Sequence, residues 1–591
     1  MTDPASADPI RIANCSGFFG DRLSGAVEMV EGGPIDVLTG DWLAELTMLI
    51  LSRIRAKNPG RGFAGTFVTQ MEQVMGTCLD KGITVVSNAG GLDPAGCADA
   101  LSEVADRLGL SPRIAYVDGD DLLDRVAELA ASGDLTAFDP ANGLGDVSRY
   151  LTANAYLGCW GIVEALAAGA DIVVTGRVTD AAVVCGPAAH HHGWARDDWD
   201  ALAGAVVAGH VIECSAQTTG GNYSFFREVP GRERIGFPWA EIAADGSCVI
   251  GKHDGTGGLV SVGTVTTQLL YEIGGIRYLG PDVVSRFDTI TLDQVGSDRV
   301  RISGVKGEPP TGTIKVAMNE LGGYRNDVVV ALTGLDIEAK AEMAEAAFWA
   351  GCPHGPDDFA TCDVRVVRTD HADPTSNEAA TAQLRISVKD PDERKVGRAF
   401  ANAMVETALA GIPGMYLMSG MPAAGQPFGV YRPALVPAEL VPQYVHIDDR
   451  TTMVDATLPE GRTVEVTPTP GPAVPTPTGE TRHVPLGSIF GTRSGDKGGD
   501  ANLGIFARED AAWAWLRDTL DVAMFQHLLP ETASLVVERH EFPNIRSLNF
   551  LVRGLLQEGV AASTRTDAQA KSLGEWLRSR FVDLPVALLD S

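Results

Sequence analysis

Short β-branched runs alternate with longer amphipathic stretches over the first 210 residues, and this alternation restricts the fold more than any other feature of the sequence. The runs predict strands at 10–13, 34–37, 83–87, 113–117 and 171–175. The stretches between them carry apolar residues at i, i+3 and i+4, and they predict helices at 42–55, 65–80, 96–108 and 120–132. Repeated βα units form a parallel sheet covered by helices. We therefore predict an N-terminal α/β domain over residues 1–225, with a doubly wound, mostly parallel sheet.

The middle of the chain, residues 226–450, has a different pattern. It begins with a glycine-rich region of short strands whose order the sequence does not define. From residue 327 the predicted elements run β-α-β-β-α-β, which is the split βαβ or ferredoxin-like order. These elements are strand 327–333, helix 337–351, strands 362–369 and 380–389, helix 392–410 and strand 415–418. We predict a ferredoxin-like α+β region here.

A proline- and threonine-rich segment precedes the last part of the chain. We predict a linker over residues 451–482, because five prolines between 467 and 478 fix φ and remove backbone donors, which favours an extended chain. The predicted elements after the linker form a small C-terminal α+β domain over residues 483–591. They are strands 483–490, 501–507, 532–540 and 545–552, and helices near 510–528 and 566–581.

The charge of the chain excludes some classes of partner. Its formal net charge is −30 at pH 7, which opposes binding to nucleic acid or to an anionic membrane, because both need clustered Lys and Arg. The first ten residues do not have the pattern of a signal peptide, and no apolar run approaches the roughly 18 residues that span a bilayer. Nine cysteines without C-x-x-C spacing indicate reduced thiols. We expect a cytoplasmic homo-oligomer that binds a small molecule.

One polar turn combines glycines with cations. Residues 493–500 read Arg-Ser-Gly-Asp-Lys-Gly-Gly-Asp. Glycines permit φ > 0 and a concave nest of amide N–H groups, beside which Arg493 and Lys497 add positive charge. The turn is therefore a candidate anion site, with Ser494 and Asp496 as further binding residues. The alternative interpretation is a solvated hairpin turn.

Polar residues also follow the predicted strands of the N-terminal domain. In a parallel sheet, ligands bind beyond the carboxyl ends of the strands. Asn88 follows one strand in the sequence Ser-Asn-Ala-Gly-Gly, and Asn14 ends the first strand, with Asp21 and Arg22 shortly after it. Asn88 is a candidate catalytic residue, and the other three are candidate substrate-binding residues.

A third strand ends in Gly-Arg-Val-Thr-Asp at 176–180. Arg177 is suited to gripping a carboxylate or phosphate, because its planar guanidinium recognises oxyanions in a bidentate manner. Asp180 is a candidate acid or base. The alternative is that Asp180 caps the following helix and that Arg177 is its surface ion pair.

Residues 209–222 place several polar groups around a Gly-Gly pair. Glu213 is a candidate general acid or base if burial raises its pKa, and the alternative is a buried carboxylate that accepts loop amides. Cys214 is better explained as a small buried thiol than as a nucleophile. The candidate binding residues of this segment are Thr218, Gly220, Gly221 and Asn222.

The sequence contains no recognisable cofactor motif. Neither a dinucleotide fingerprint nor a phosphate-binding P-loop follows the first strand, and there is no nucleophile elbow. His190, His191 and His192 are adjacent, and neighbouring side chains on a helix diverge, so they are poorly placed to ligate one ion. We predict no redox cofactor and no bound metal, and the sequence leaves open a divalent cation held by carboxylates.

Several of these motifs together resemble the acyclic terpene utilisation (AtuA) family. The last domain is similar to the ferredoxin-like domain that some members carry fused at the C-terminus. The resemblance implies a pathway rather than a reaction: members are similar to products of gene clusters that degrade citronellol-, geraniol- or leucine-type acids as CoA thioesters. It supplies no catalytic residues. The motifs that carry it are at 14–17, 21–22, 87–91, 154–158, 175–180, 220–222 and 493–498.

The leading hypothesis is an enzyme that acts on a branched or acyclic isoprenoid acyl-CoA as a hydratase, lyase or hydrolase. Its C-terminal domain would cover a pocket of its own or of a neighbouring subunit. The second hypothesis is a non-catalytic binding or assembly protein that serves an acyl-CoA carboxylase. The third is an NAD(P)-dependent oxidoreductase built on the α/β half.

Overall fold

The computed structural model describes residues 8–140, 143–418, 423–456 and 465–589. The chain forms two compact units, and neither is continuous in sequence. The first contains Met1–Asn319, Tyr431–Val560 and Asp567–Ser591, and the second contains Glu320–Val430 and Ala561–Thr566.

The strands of the described residues fall into several sheets. In chain order they are β1 (Ile10–Asn14), β2 (Val37–Gly40), β3 (Thr84–Ser87), β4 (Ile114–Asp118), β5 (Thr136–Ala137), β6 (Tyr150–Ala155), β7 (Ile172–Thr175), β8 (Pro238–Ile242), β9 (Cys248–Lys252), β10 (Arg277–Leu279), β11 (Val284–Arg286), β12 (Thr291–Gly296), β13 (Arg299–Ser303), β14 (Lys306–Glu308), β15 (Thr313–Thr333), β16 (Thr361–Val367), β17 (Thr381–Asp390), β18 (Tyr416–Leu417), β19 (Gln426–Tyr431), β20 (Ala434–Pro437), β21 (Gln443–Ile447), β22 (Arg450–Val454), β23 (Thr481–Pro485), β24 (Phe490–Lys497), β25 (Asp500–Ala507), β26 (Val537–Phe542), β27 (Ser547–Val552) and β28 (Phe581–Pro585).

The α-helices of the same residues connect and cover these strands. They are α1 (Gly25–Gly32), α2 (Glu45–Lys57), α3 (Gly65–Lys81), α4 (Pro94–Leu108), α5 (Val126–Ser132), α6 (Trp160–Ala167), α7 (Ala182–His192), α8 (Trp199–Ile212), α9 (Val262–Leu269), α10 (Ile337–Gly351), α11 (Arg398–Glu406), α12 (Asp510–Thr519), α13 (Val522–Leu528) and α14 (Leu573–Ser579). Within the described residues, none of the helices is both long and apolar enough to cross a bilayer.

The largest sheet of the first unit is mixed. Its strand order is β12-β13-β9-β8-β1-β2-β3-β7-β4-β21-β22. The five predicted N-terminal strands form its parallel centre. The strands on either side are antiparallel, with β8 pairing β1 and β21 pairing β4. The mixed α/β class is confirmed. The prediction of a mostly parallel sheet did not anticipate that the glycine-rich region and the segment before the linker extend both edges.

Helices cover both faces of the parallel centre. Neighbouring strand residues point to opposite sides, so that Val85 belongs to one apolar core and Val86 to the other. Phe67 and Met71 of α3 line the first core, and Leu202 of α8 lines the second. Two buried faces explain why these strands are nearly continuous apolar runs rather than alternating ones.

The second unit contains the predicted β-α-β-β-α-β order. The later part of β15 pairs with β17 and β18, and β16 pairs with β17, all antiparallel. The strand order β18-β15-β17-β16 is that of a split βαβ arrangement. Helices α10 and α11 pack on the sheet, and Phe348 and Phe400 meet edge to face with ring centroids 5.2 Å apart.

The C-terminal part of the chain belongs to the first unit. Strands β24, β25, β27 and β26 form an antiparallel sheet in that order, and β23 pairs with β28. Its core contains fully buried Trp513 and a stacked pair, Phe525 and Phe550, with centroids 4.3 Å apart.

The segment predicted as a linker is attached to the first unit. It begins with strand β22, and Thr469 donates its backbone N–H to the carbonyl of Asp288 at 2.9 Å. Further along, the hydroxyl of Thr476 contacts the carboxylate of Asp518. These contacts hold the described part of the proline-rich segment in place.

Candidate functional site

The carboxyl ends of the parallel strands bring several polar side chains together. Asn14 ends β1, Asp41 follows β2, Asn88 follows β3 and Arg177 follows β7. All four are buried, with at most 6% of their surface exposed. The strand-end loops therefore form a polar interior rather than a solvated rim.

Asn88 and Asp41 form a hydrogen-bonded pair. The amide of Asn88 donates to Asp41 Oδ1 at 2.5 Å, and Asn88 Oδ1 accepts from the backbone N–H of Trp42 at 2.9 Å. Burial and the nearby Asp180 raise the pKa of Asp41 well above its ordinary value, against the opposing effects of Arg177 and Asn88. Sequence reasoning missed Asp41, because it placed the second strand three residues too early and so misplaced its carboxyl end.

Arg177 is the buried cation of this site. Its Nη1 donates to Asp180 Oδ1 at 2.8 Å and to the carbonyl of Leu43 at 3.1 Å, and the guanidinium lies 4.1 Å from the ring centre of Tyr156. Burial disfavours its charge, but Asp180, Tyr156 and Asp41 outweigh that effect and raise the pKa of Arg177. The ion pair with Asp180 that the sequence suggested exists, but Arg177 is buried rather than on the surface, and the N-cap of α7 is Ala181 rather than Asp180.

Asp120 supports Arg177 from behind. Its Oδ2 accepts from the backbone N–H of Arg177 at 2.9 Å and from the amide of Asn154 at 2.7 Å. Burial raises the pKa of Asp120 to about 7. Gly176 lies directly against this carboxylate, since a Cβ there would come within 2.2 Å of Asp120 Oδ1. Sequence analysis placed Asp120 at the start of the predicted helix 120–132 and did not identify it as a site residue.

Glu213 and His210 form a second buried pair, near the end of α8. His210 Nδ1 lies 3.1 Å from Glu213 Oε1, and the two residues are 1% and 5% exposed. Burial, followed by Asp180 and Glu272, raises the pKa of Glu213 well above its ordinary value. Burial and the charge of Lys497 lower the pKa of His210 to about 4. Burial therefore favours the uncharged form of both members of the pair.

Several buried polar atoms around this pair have no hydrogen-bond partner. The set includes His210 Nε2, Glu213 Oε2, Gln217 Oε1, Thr218 Oγ1 and Gln268 Oε1. Gln268 donates its Nε2 to the carbonyl of His210 at 3.2 Å. Buried polar groups are normally satisfied by protein or water. A group of unpartnered donors and acceptors beside an acid–base pair is what a polar ligand or a reacting water requires.

The predicted residues Asn14, Asp21 and Arg22 make internal contacts. Asn14 Nδ2 donates to the carbonyls of Ile212 and Glu213, at 2.5 and 2.9 Å. Asp21 accepts from the backbone N–H of Gly17 at 3.0 Å, while Arg22 pairs with Glu28 at 2.7 Å and stacks on a phenyl ring. Asn14 thus holds the end of α8, and the other two stabilise the first loop.

The predicted Gly-Gly segment turns sharply behind the acid–base pair. Gly220 and Asn222 have φ of 107° and 58°, in the left-handed region. Gly220 also packs closely, since a Cβ there would lie 2.9 Å from Val229. Gly221 donates its N–H to the carbonyl of Ala216 at 2.9 Å. Burial raises the pKa of the Cys214 thiol, which agrees with an inert thiol rather than a nucleophile.

The predicted polar turn at 493–500 has a different conformation. Residues 490–497 and 500–507 are the paired strands β24 and β25, so only Gly498 and Gly499 form the turn. The concave amide nest was a wrong prediction. Gly495 pairs with Asn502 inside the β24–β25 ladder, and the Tyr271 ring packs so closely on it that a Cβ there would be 2.4 Å from the ring.

The charged residues of that hairpin contact the segment that follows α9. Arg493 is 6% exposed, and its guanidinium lies 4.2 Å from the ring centre of Tyr271. Lys497 Nζ donates to the carbonyl of Glu272 at 2.6 Å. Asp496 lies 3.6 Å from the ammonium of Lys571, and the hydroxyl of Ser494 accepts from the backbone N–H of Gly574.

Two of the adjacent histidines contact different backbone carbonyls. His191 contacts the carbonyl of Asp8 and His192 that of Ile242. Over the described ranges, no group of three or more His, Cys, Asp and Glu side chains is arranged to hold a metal ion. The cysteines are all free thiols.

Two sequence comparisons bear on this arrangement. The profile described as "Acyclic terpene utilisation family protein AtuA" matches residues 10–447. The profile described as "AtuA ferredoxin-like domain" matches residues 484–583. A search of curated proteins gave no match to the chain.

Proposed function

Because the chain belongs to the acyclic terpene utilisation family AtuA, we propose that it is an enzyme acting on a branched or acyclic isoprenoid acyl-CoA, or on the corresponding carboxylate. The reaction is of the hydratase, lyase or hydrolase type and uses acid–base chemistry without a redox cofactor. One observation carries the proposal: Glu213 and His210 form a buried, hydrogen-bonded pair close enough to Arg177 for its charge to act on Glu213.

Glu213 is the proposed general acid. Its raised pKa favours the protonated form, which a proton donor requires. His210, whose pKa is lowered to about 4, is uncharged at neutral pH and holds Glu213 as a neutral hydrogen-bond partner. The unpartnered Oε2 of Glu213 is the atom that would face the substrate.

Arg177 is the proposed oxyanion partner. Its Nε has no partner in the buried interior, and its charge is stabilised by Asp180 and by the Tyr156 ring. A guanidinium there would favour the negative charge that develops on a thioester carbonyl or a carboxylate. Asp180 is the proposed base, because 26% of its side-chain surface is exposed. Asn88 would hold Asp41 in place.

The charged hairpin near Arg493 and Lys497, which the sequence suggests for the phosphates of CoA or a substrate carboxylate, is not part of this proposal, because both cations contact the segment that follows α9. A cytoplasmic location suits the free thiols. Helices on both faces of the parallel strands favour a doubly wound description of that part of the sheet. We propose that the protein is a homo-oligomer. We also propose that it has no nucleic-acid or membrane partner, and the net charge of −30 supports this.

The test uses the purified full chain and a panel of short, branched and isoprenoid acyl-CoAs, with and without divalent cations. A ligand of the folded state raises the melting temperature. Turnover of the best ligand is then compared between wild type and Glu213→Gln, which keeps the shape and removes the acid. We expect a fall in kcat of about 10²- to 10⁴-fold.

Three outcomes would contradict the proposal. Glu213→Gln with unchanged kcat would remove the acid role. No stabilisation by any acyl-CoA, together with a stoichiometric carboxylase partner from lysate, would favour an assembly protein. Tight nicotinamide binding in a fluorescence titration would favour an oxidoreductase.

A further inference from the structure

The segment Leu270 to Ile273, directly after α9, is held on all sides by the C-terminal sheet. Gly504 of β25 packs on Leu270, where a Cβ would lie 2.5 Å from its side chain. Arg493 stacks on Tyr271, and Asn549 donates its Nδ2 to the carbonyl of Ile273 at 3.3 Å. Each residue of this short segment therefore contacts a different position of the sheet.

Glu272 is held by both of its backbone polar groups. Its N–H donates to Asn502 Oδ1 at 2.8 Å, and its carbonyl accepts from Lys497 Nζ at 2.6 Å. Asn502 is fully buried, and its own amide contacts the side chain of Asn549. Glu272 has φ of 56°, which is unfavourable for a residue other than glycine. The two contacts from the C-terminal sheet stabilise a conformation that the segment would not adopt by itself.

The same segment adjoins the acid–base pair. Helix α9 ends at Leu269, one residue before it, and Gln268 of that helix bonds the carbonyl of His210. The charged groups that act on Glu213 are Asp180, Glu272, Lys497 and Arg177. The Tyr278 ring packs on His210 with centroids 5.1 Å apart.

We propose that the C-terminal domain is a working part of the acid–base site. In this proposal Asn502 and Lys497 are positioning residues: they fix Glu272 at the pair formed by His210 and Glu213, and Lys497 adds a compensating positive charge. The inference rests on the proposed function for the role of the His210–Glu213 pair. The contacts of Asn502 and Lys497 with Glu272, here called the clamp, do not depend on it. It assigns to residues 484–583 a role in setting the proton affinity of a site built on the other end of the chain.

The signs of the two charges are opposite, and this makes the proposal testable. A cation near the pair disfavours protonated His210 and favours ionised Glu213, so removing it raises both pKa values. A carboxylate does the reverse, so removing it lowers both. Lys497→Met and Glu272→Gln should therefore move the titration of Glu213 in opposite directions.

The experiment measures the protonated carboxyl group of Glu213 by infrared difference spectroscopy, with Glu213→Gln as the reference that identifies the band. The full-length protein is titrated without substrate over the whole pH range in which it stays folded. We expect the midpoint to rise by about 0.5 to 1 pH unit in Lys497→Met and to fall by a similar amount in Glu272→Gln. Lys497→Arg keeps the cation and should stay near the wild type.

Lys306→Met is the matched control, because Lys306 pairs with Asp200 at the surface. It removes an identical charge and should leave the Glu213 midpoint unchanged. Equal midpoints in all variants, or shifts of the same sign in Lys497→Met and Glu272→Gln, would overturn the proposal. The titration contains no substrate, so its failure would count against the role of Lys497 and Glu272 and not against the proposed reaction. Absence of turnover in the activity assay would in turn leave the expected titration shifts unchanged.

Discussion

The strand-end loops and the C-terminal hairpin both carry cations that the sequence singles out, and the structure uses them differently. Arg177 lies at a strand end, where it pairs with Asp180 and acts on the pKa of Asp41 and Glu213. Arg493 lies within a strand and stacks on an aromatic ring, while Lys497 donates to a backbone carbonyl. The first region assembles reactive groups, and the second holds a neighbouring segment in position. A cation in a polar motif is therefore not by itself a sign of ligand binding.

The largest expected effect is at Arg177. Arg177→Ala leaves Asp180 and Asp41 without their buried cation, and breaking such a pair costs about 3–5 kcal/mol of unfolding free energy. Urea unfolding monitored by circular dichroism measures the change. Arg177→Lys should recover part of it, because the charge is kept while the planar fork is lost. A loss below about 1 kcal/mol in Arg177→Ala would mean that the buried ion pairs at the strand ends contribute little to the unfolding free energy.

Asp120 predicts a pH dependence of stability. Its folded pKa of about 7 lies above the unfolded value, so the folded state binds more protons between the two and the unfolding free energy falls as pH rises. From pH 5 to 8 this contribution amounts to about 2–3 kcal/mol. Asp120→Asn should remove it, as measured by urea unfolding at both pH values.

Asp146→Asn is the control for that experiment. Asp146 is exposed, and hydrogen bonds from Ser148 lower its pKa, so it titrates below the range used. Its variant should keep the wild-type pH dependence. If Asp120→Asn keeps it as well, the carboxylate behind Arg177 is not the group that titrates near neutral pH.

A smaller effect is expected at the hairpin. Arg493→Ala removes the stacking of the guanidinium on Tyr271, and we expect a loss of about 1–2 kcal/mol in unfolding free energy. Chemical denaturation of the full chain measures it. A loss as large as that of Arg177→Ala would remove the distinction between the two regions.

The smallest effect is expected at Arg508. Its ion pair with Glu228, at 2.7 Å, is solvent-exposed on both sides. Exposed pairs contribute about 0.2–1 kcal/mol, and salt screens them. Arg508→Ala should therefore change the urea midpoint only slightly, and less at high salt. Arg508 also lies 4.9 Å from the ring centre of Phe225, and a change that exceeds that of Arg493→Ala would reverse the expected order of the two cations.

The parallel strands could be predicted because their signal is local. Apolar runs between amphipathic stretches mark them, and the residues at their carboxyl ends, such as Asn88 and Arg177, follow directly. Asp41 was missed because the second strand was predicted three residues too early, which misplaced the carboxyl end of that strand. Gly495 was misjudged because the Tyr271 ring, which leaves no room for a side chain there, lies more than 200 positions away in sequence. Contacts between residues so far apart in sequence leave no periodic pattern. For the same reason, the contacts of Asn502 and Lys497 with Glu272 could not be predicted from the sequence.

The discontinuity of the first unit has a consequence during synthesis. The chain leaves this unit after Asn319, returns at Tyr431, and returns a second time at Asp567. Lys571, which bonds the hydroxyl of Tyr271, emerges from the ribosome about 300 residues after its partner. N-terminal strands can pair early, but the segment around Tyr271 cannot make its contact with Lys571 until that residue has been synthesised. Nascent chains stalled before residue 567 should therefore be open to proteases around Tyr271.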